Sequence, residues 1–359
     1  MIVRSSGHAY SPTIRRLLEM RLSFEPVPLD EVPWTQLNEF ADRTVHQTKE
    51  WLAFLHETQG AEPIVLRVFA GSEAVGWFTG ATIKRFGLRI LGSPMRGWTT
   101  AHMGFNLVED ALIDTAVTSL AEFATQSLGC MHLEVLDRRC TSGVIPPGFQ
   151  STPLNGLEVG LQVSDEELLE AMTKNGRRDV RKGMRLGVLI EQVSADDQQF
   201  VAEYYSQVSQ AFAKRGLVPT YPQSRVESMV RHVYPAGHLV LLRAKLPTGE
   251  TAATGIFAGI AGGAASFTMQ ASDPEFHQWL PNEVMVWEAL RTWRDRGAVS
   301  FDFGGREIGG PQDFKRKFGG TDLTTHWLRY SRFTSIERAR SLAGRAQKML
   351  QRRGRLSRG

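Results

Sequence analysis

Val299-Ser300-Phe301-Asp302-Phe303-Gly304-Gly305 is the stretch on which the fold turns. Val299, Phe301 and Phe303 alternate with Ser300 and Asp302, the period-two pattern of a strand, and two glycines end it. The residues before it, Pro281–Arg296, read as a helix closed by Gly297. Working outward, Leu239–Lys245, Thr251–Ile260 and Ala264–Gln270 read as strands, the first two joined by a turn over 246–250. Ala195–Arg215 is a helix stopped by Gly216, and Ser164 N-caps another from Asp165. A last strand runs over His326–Arg332.

The first half of the chain repeats this order. Gln47–Gly60 is a helix with Trp51, Phe54 and Leu55 on one face. Glu62–Ala70 and Glu73–Thr82 are strands around Ala70-Gly71-Ser72, and Leu88–Leu91 is a short strand. Val108–Leu128 is an amphipathic helix ending at Gly129, and Met131–Leu136 is the next strand. Hairpins, a helix and a further strand in both halves predict two diverged copies of one α/β fold with mixed sheets, not a doubly wound parallel sheet. The turn formers between Pro146 and Gly156 predict the linker. The expected organisation is a basic leader over 1–22, an N-terminal domain over 23–155, a C-terminal domain over 156–332 and a basic amphipathic tail over 333–359.

Composition narrows the function classes. The chain has 359 residues, 42% hydrophobic and 22% charged, with a net charge of +4. From Arg332 to Gly359, nine Lys/Arg face one acid, Glu337. That tail is +8, so the body is near −4, and the basic character does not mark the whole chain as a nucleic-acid binder. No apolar run is long enough to span a bilayer. With no secretory h-region and only Cys130 and Cys140, the expectation is a cytoplasmic protein with reduced thiols. No CxxC or HExxH pattern appears, so neither a metal nor a redox cofactor is expected.

Three segments carry a family resemblance. The first runs from Leu168 through Lys174-Asn175-Gly176-Arg177-Arg178-Asp179-Val180-Arg181-Lys182-Gly183 to Val188. The second is Phe301-Asp302-Phe303-Gly304-Gly305 followed by Phe314-Lys315-Arg316-Lys317-Phe318-Gly319-Gly320. The third spans Ala271-Ser272-Asp273 through Leu280-Pro281-Asn282 into the helix of Trp287. Together they resemble the Fem (FemABX) branch of the GNAT-like acyl and aminoacyl transferases. The resemblance covers about residues 45–330. It implies two tandem GNAT-like domains and transfer of an activated acyl group to an amine, the best-known members moving amino acids from aminoacyl-tRNA to peptidoglycan precursors. The coiled-coil arm of some members has no heptad run to build it here.

Candidate site residues follow from charge and position. On a helix, Lys174, Arg177, Arg178, Arg181, Lys182 and Arg185 fall within an arc of about 140°, a face able to hold a polyanion. Arg177 and Arg181, with Arg178, are the expected substrate-binding cations. Gly176 and Gly183 are expected to weaken that helix. Lys315 is the candidate for stabilising the oxyanion, in keeping with the family motif, with Lys317 beside it on the same loop. Asp302 would orient the amine or accept its proton. Its alternative is a carboxylate capping the Gly304-Gly305 turn. His102, in a Gly- and aromatic-rich loop with Arg96, Trp98 and Phe105, is a candidate for lining the acceptor cleft.

The expected function is formation of an amide on a cell-envelope type of amine acceptor, an anionic small molecule or a lipid-linked one. The donor is left open between aminoacyl-tRNA and acyl-CoA. Where a CoA-dependent GNAT domain places a glycine-rich phosphate loop, this chain has His277-Gln278-Trp279-Leu280-Pro281-Asn282, without glycine. The tail over 334–353, with its apolar stripe and intervening cations, is expected to touch the inner face of a membrane. Two competing classes are an acyl-CoA-dependent N-acyltransferase of polysaccharide, lipid or natural-product synthesis, and a non-catalytic polyanion-binding envelope-assembly protein.

Overall fold

The computed structural model describes Leu17 and residues 20–85, 87–141, 143–214, 216–305 and 310–333. Most of the basic leader and all of the tail after Phe333 lie outside the described residues, as do the expectations attached to them. The first half runs β1 (Leu22–Val27), α1 (Trp34–Leu37), α2 (Lys49–Gln59), β2 (Glu62–Ala70), β3 (Glu73–Arg85), β4 (Leu88–Ser93), β5 (Gly104–Leu107), α3 (Ile113–Gln126) and β6 (His132–Val135). Then come β7 (Phe149–Gly160), α4 (Asp165–Ala171), α5 (Lys174–Arg185), β8 (Leu189–Gln192), α6 (Gln198–Ala213) and α7 (Gln223–Val233). The chain closes with β9 (Leu239–Lys245), β10 (Thr251–Ala258), β11 (Ala264–Ser272), α8 (Pro281–Asp295), β12 (Ser300–Gly305), α9 (Gly310–Arg316) and β13 (Thr321–Ser331).

One mixed sheet holds all of these strands in the order β1-β2-β3-β4-β6-β13-β7-β12-β11-β10-β9-β8, with β5 attached to β3. The internal repeat is visible in its pairings. β1 to β4 are successively antiparallel and β6 is parallel to β4. β8 to β11 are likewise antiparallel and β12 is parallel to β11. The remaining strand of each half is exchanged. β7 follows β6 in sequence yet pairs with β12, while β13 follows β12 and pairs with β6, and the two pair with each other along their length.

This exchange corrects the expected linker and domain division. Asn155 and Gly156 lie inside β7, paired with Thr324 and Leu323 of β13. The division at 155/156 therefore cuts a central strand. Gly and Asn there read as turn formers because local propensity cannot register ladder bonds from a strand far along the chain. The halves also share a core. Trp51 and Leu55 of α2 belong to one buried cluster with Val226, Met229 and Val230 of α7 and Phe200 and Tyr204 of α6. A second cluster packs α8, through Met285, Leu290 and Trp293, on Phe301 and Phe303. A third seats α3 on the first half of the sheet.

Two helices, not one, carry the stretch from Asp165 to Arg185. α4 ends at Ala171, and Thr173 caps α5 by accepting the amide of Gly176 at 3.1 Å. Gly176 and Gly183 do not break α5 but allow it to pack. A Cβ on Gly176 would stand 2.1 Å from the carbonyl oxygen of Lys317, and one on Gly183 would stand 2.5 Å from Val284. Seven residues apart, they share the buried face, leaving the cations outside.

Candidate active site

The functional side chains gather where the exchanged strands meet β12. β11 and β12 pair only over Ala264–Ser266 and Ser300–Asp302. Beyond Asp302 the register of β12 against β7 shifts, so that Asp302 faces Glu158 and Gly305 faces Gly156. The side chain of Asp302 turns back to accept the Gly304 amide at 2.7 Å through Oδ1. The turn-capping role considered for it is therefore real. It leaves Oδ2 for a second partner.

That partner is His102. Its Nδ1 lies 3.2 Å from Oδ2 of Asp302, and its Nε2 lies 3.3 Å from the hydroxyl of Thr325 on β13. All three residues are buried. The order Thr325, His102, Asp302 fixes the imidazole: a proton on Nδ1 facing the carboxylate leaves Nε2 as the basic nitrogen. Arg138 adds a cation, with one guanidinium nitrogen 3.8 Å from Asp302 and another 2.5 Å from Glu158. Burial pushes the Asp302 carboxyl up, but His102, Arg138 and the Gly304 amide outweigh it and hold the group down at about 2. His46 stands beside this group. Burial, then the nearby His102, depress its imidazole to about 3, so it stays neutral.

A cleft of about 890 Å³ lies between the halves, walled by Arg138 and Glu158; His102, Asp302 and Thr325 are not among its lining residues. Its walls include Asp42, Arg43, Asp110, Arg138, Arg139 and Glu158. The arginines are matched by acids or amides. Arg139 reaches Asp42 at 2.9 Å and Asp137 at 3.2 Å, and Arg43 donates to Asn106 and to the carbonyl of Gln47. Arg138 links the cleft wall to the buried carboxylate.

The predicted site residues separate into three places. His102 and Asp302 come together, although the sequence offered no reason to pair them. Lys315 donates to the carbonyl of Phe303 at 2.6 Å, one residue beyond Asp302, and its ammonium lies 5.4 Å from the ring centre of Phe267. It lies at the end where β12 has parted from β11, but it lines neither the inter-half cleft nor the cavity on α5. Lys317 is held between Asp179, at 2.9 Å, and Glu283, at 2.7 Å, and the two carboxylates raise its pKa above the ordinary lysine value against the opposing effect of burial. It ties α9 to α5 and α8. Arg177 donates to the carbonyls of Leu169, Glu170 and Met172, closing α4, and Arg178 pairs with Asp179 at 3.0 Å. Arg177 and Arg181 do not share a cavity with Lys315: they line one on the outer face of α5, and Lys315 is not among its lining residues. Thr325, Arg138 and Glu158 escaped sequence reading. Each lies in a segment whose neighbours are set by strand exchange.

Comparison with known proteins bears on the fold. Residues 171–316 match the family model described as an acetyltransferase (GNAT) domain. The crystal structure of FemX superposes at a TM-score of 0.67 with 14% identity, over 88% of this chain and 99% of FemX. A conserved protein of unknown function from Bacteroides thetaiotaomicron superposes at 0.54 with 9% identity, over 87% of this chain and all of that one. No curated protein matches in sequence. The chain therefore has the fold of FemX, a repeated α/β unit sharing one sheet, and a GNAT-type domain over residues 171–316.

Proposed function

We propose that the chain is an N-acyltransferase that uses His102, oriented by Asp302, to take the proton of an acceptor amine. The carrying observation is the buried Thr325–His102–Asp302 arrangement at the junction of the two halves, on the strand that bears the Phe301–Gly305 motif. The amine nitrogen attacks the carbonyl of an activated acyl ester or thioester. The new N–C bond forms as the proton on nitrogen passes to Nε2 of His102; the ester C–O or thioester C–S bond then breaks, and the ribose hydroxyl or thiol leaves with the proton that His102 gives back. Asp302 balances the transient imidazolium.

The FemX-like fold supports an aminoacyl or acyl donor and a cell-envelope type of acceptor, and the acetyltransferase-type domain supports an acyl-CoA donor. The test supplies purified protein with acyl-CoA thioesters and, separately, with aminoacyl-tRNA, each against a panel of amines, and follows amide products by mass. His102→Gln should lower kcat about 10²–10⁴-fold with donor binding unchanged. A His102→Gln protein that turns over like the wild type would end this reading.

A further inference from the structure

Lys174, Arg177, Arg178, Arg181 and Arg185, with Met184, form the lining of a shallow cavity of about 630 Å³ on the outer face of α5. No carboxylate is among these lining residues. Asp179, the partner of Arg178, is buried on the inner side of the helix against Lys317. Arg181 and Arg185 are exposed, with no ion-pair partner recorded among the described residues. Within this cationic field Met184 is 52% exposed; Leu189, outside the cavity lining but four residues past Arg185 at the start of the edge strand β8, is 65% exposed.

Cations alone would suit any polyanion. The exposed apolar side chains distinguish the surfaces. A nucleic-acid backbone would neutralise the arginines and leave Met184 and Leu189 in water. An anionic bilayer satisfies both, with phosphates at headgroup depth and apolar side chains at the acyl boundary, while the arginine stems lie along the apolar layer. We propose that the outer face of α5 docks the protein on an anionic phospholipid bilayer, the arginines on lipid phosphates and Met184 and Leu189 inserted. The inner face of the same helix meets the Lys317 carbonyl at Gly176, two residues from Lys315. Docking therefore brings the lysine loop to about one helix diameter, ~10 Å, from the membrane surface. The proposal does not depend on which group is transferred.

The full chain is sedimented with phosphatidylcholine vesicles containing or lacking phosphatidylglycerol. The wild type should bind only the anionic vesicles and be released by salt. The double variant Arg181→Glu/Arg185→Glu should bind them at least about tenfold more weakly, with its melting temperature unchanged because both side chains are exposed. Independently, an environment-sensitive dye is attached to Met184→Cys. Cys130 and Cys140 are buried and should not compete for it. The dye should move to a shorter emission wavelength on anionic vesicles and stay put with tRNA. Equal vesicle binding by wild type and double variant overturns the proposal, as does binding to tRNA without binding to vesicles, or a dye that never leaves water. A wild type that forms amides but does not bind anionic vesicles refutes docking alone. The reverse refutes the transferase reading alone.

Discussion

Nδ1 of His102 lies 3.2 Å from the carboxylate of Asp302, although the two residues belong to opposite halves of the chain. The loop after β4 carries the histidine, β12 carries the acid, and the exchanged strand β13 brings Thr325 to the other ring nitrogen. Asp302→Asn should therefore reduce kcat by roughly 10²-fold or more while leaving KM nearly unchanged, because the amide no longer holds the reactive tautomer or offsets the imidazolium. Thr325→Ser should retain the rate and Thr325→Val should lose it. Steady-state kinetics check all three, and a Thr325→Val protein as fast as Thr325→Ser would remove the hydroxyl from the arrangement.

Acid should destabilise the fold first through His46. An unfolded histidine takes a proton near pH 6.5, whereas buried His46 resists protonation down to about 3. The unfolded state binds the extra proton, so stability present above pH 6.5 is lost as pH falls toward 3. By pH 4 this one group accounts for up to roughly 3 kcal/mol. Asp302 acts in a lower window: its contribution is present above about pH 4 and is lost as pH falls through about 2. Denaturant titrations at pH 7 and pH 4 should show a smaller acid loss in His46→Gln than in the wild type. An equal loss would mean that another group controls the acid limb.

The glycines of α5 should resist replacement despite the helix propensity that alanine offers. Gly176→Ala places a methyl 2.1 Å from a backbone oxygen, and Gly183→Ala places one against Val284 and the carbonyls of Trp279 and Leu280. Each should cost about 1–3 kcal/mol, with Gly176→Ala the worse because backbone cannot rotate away. Lys182→Ala, on the exposed face, should be nearly neutral. Thermal unfolding of the three variants decides this, and a stabilised Gly176→Ala would show that α5 is not pressed on the Lys317 loop.

Lys317 should be a structural cation. Lys317→Met leaves Glu283 without its counter-ion and Asp179 with Arg178 alone, at a cost of about 2–4 kcal/mol, less than a fully buried pair because the lysine is partly exposed. Adding Glu283→Gln should recover part of that loss, since one uncompensated charge is removed. A double variant no more stable than Lys317→Met would place the coupling elsewhere.

Sequence reading reached the strand, the turn and the acid at Asp302, because alternation and glycine punctuation are local. It reached the cationic face of α5 for the same reason, through helical periodicity. It went wrong at Asn155 and Gly156, whose turn propensity is overridden by β13, and at Gly176 and Gly183, whose role is set by what lies across the helix. It could name Lys315, Arg177 and Arg181 but not the space between them.

The sequence by itself determined the kinds of element, their repeated order and the charge pattern, since each depends on neighbours within a turn or two of chain. Only the tertiary structure decided which residues share a site. Exchange of β7 and β13 between the halves brings His102, Asp302 and Thr325 together, and such pairing rests on contacts distant in sequence that no local pattern encodes.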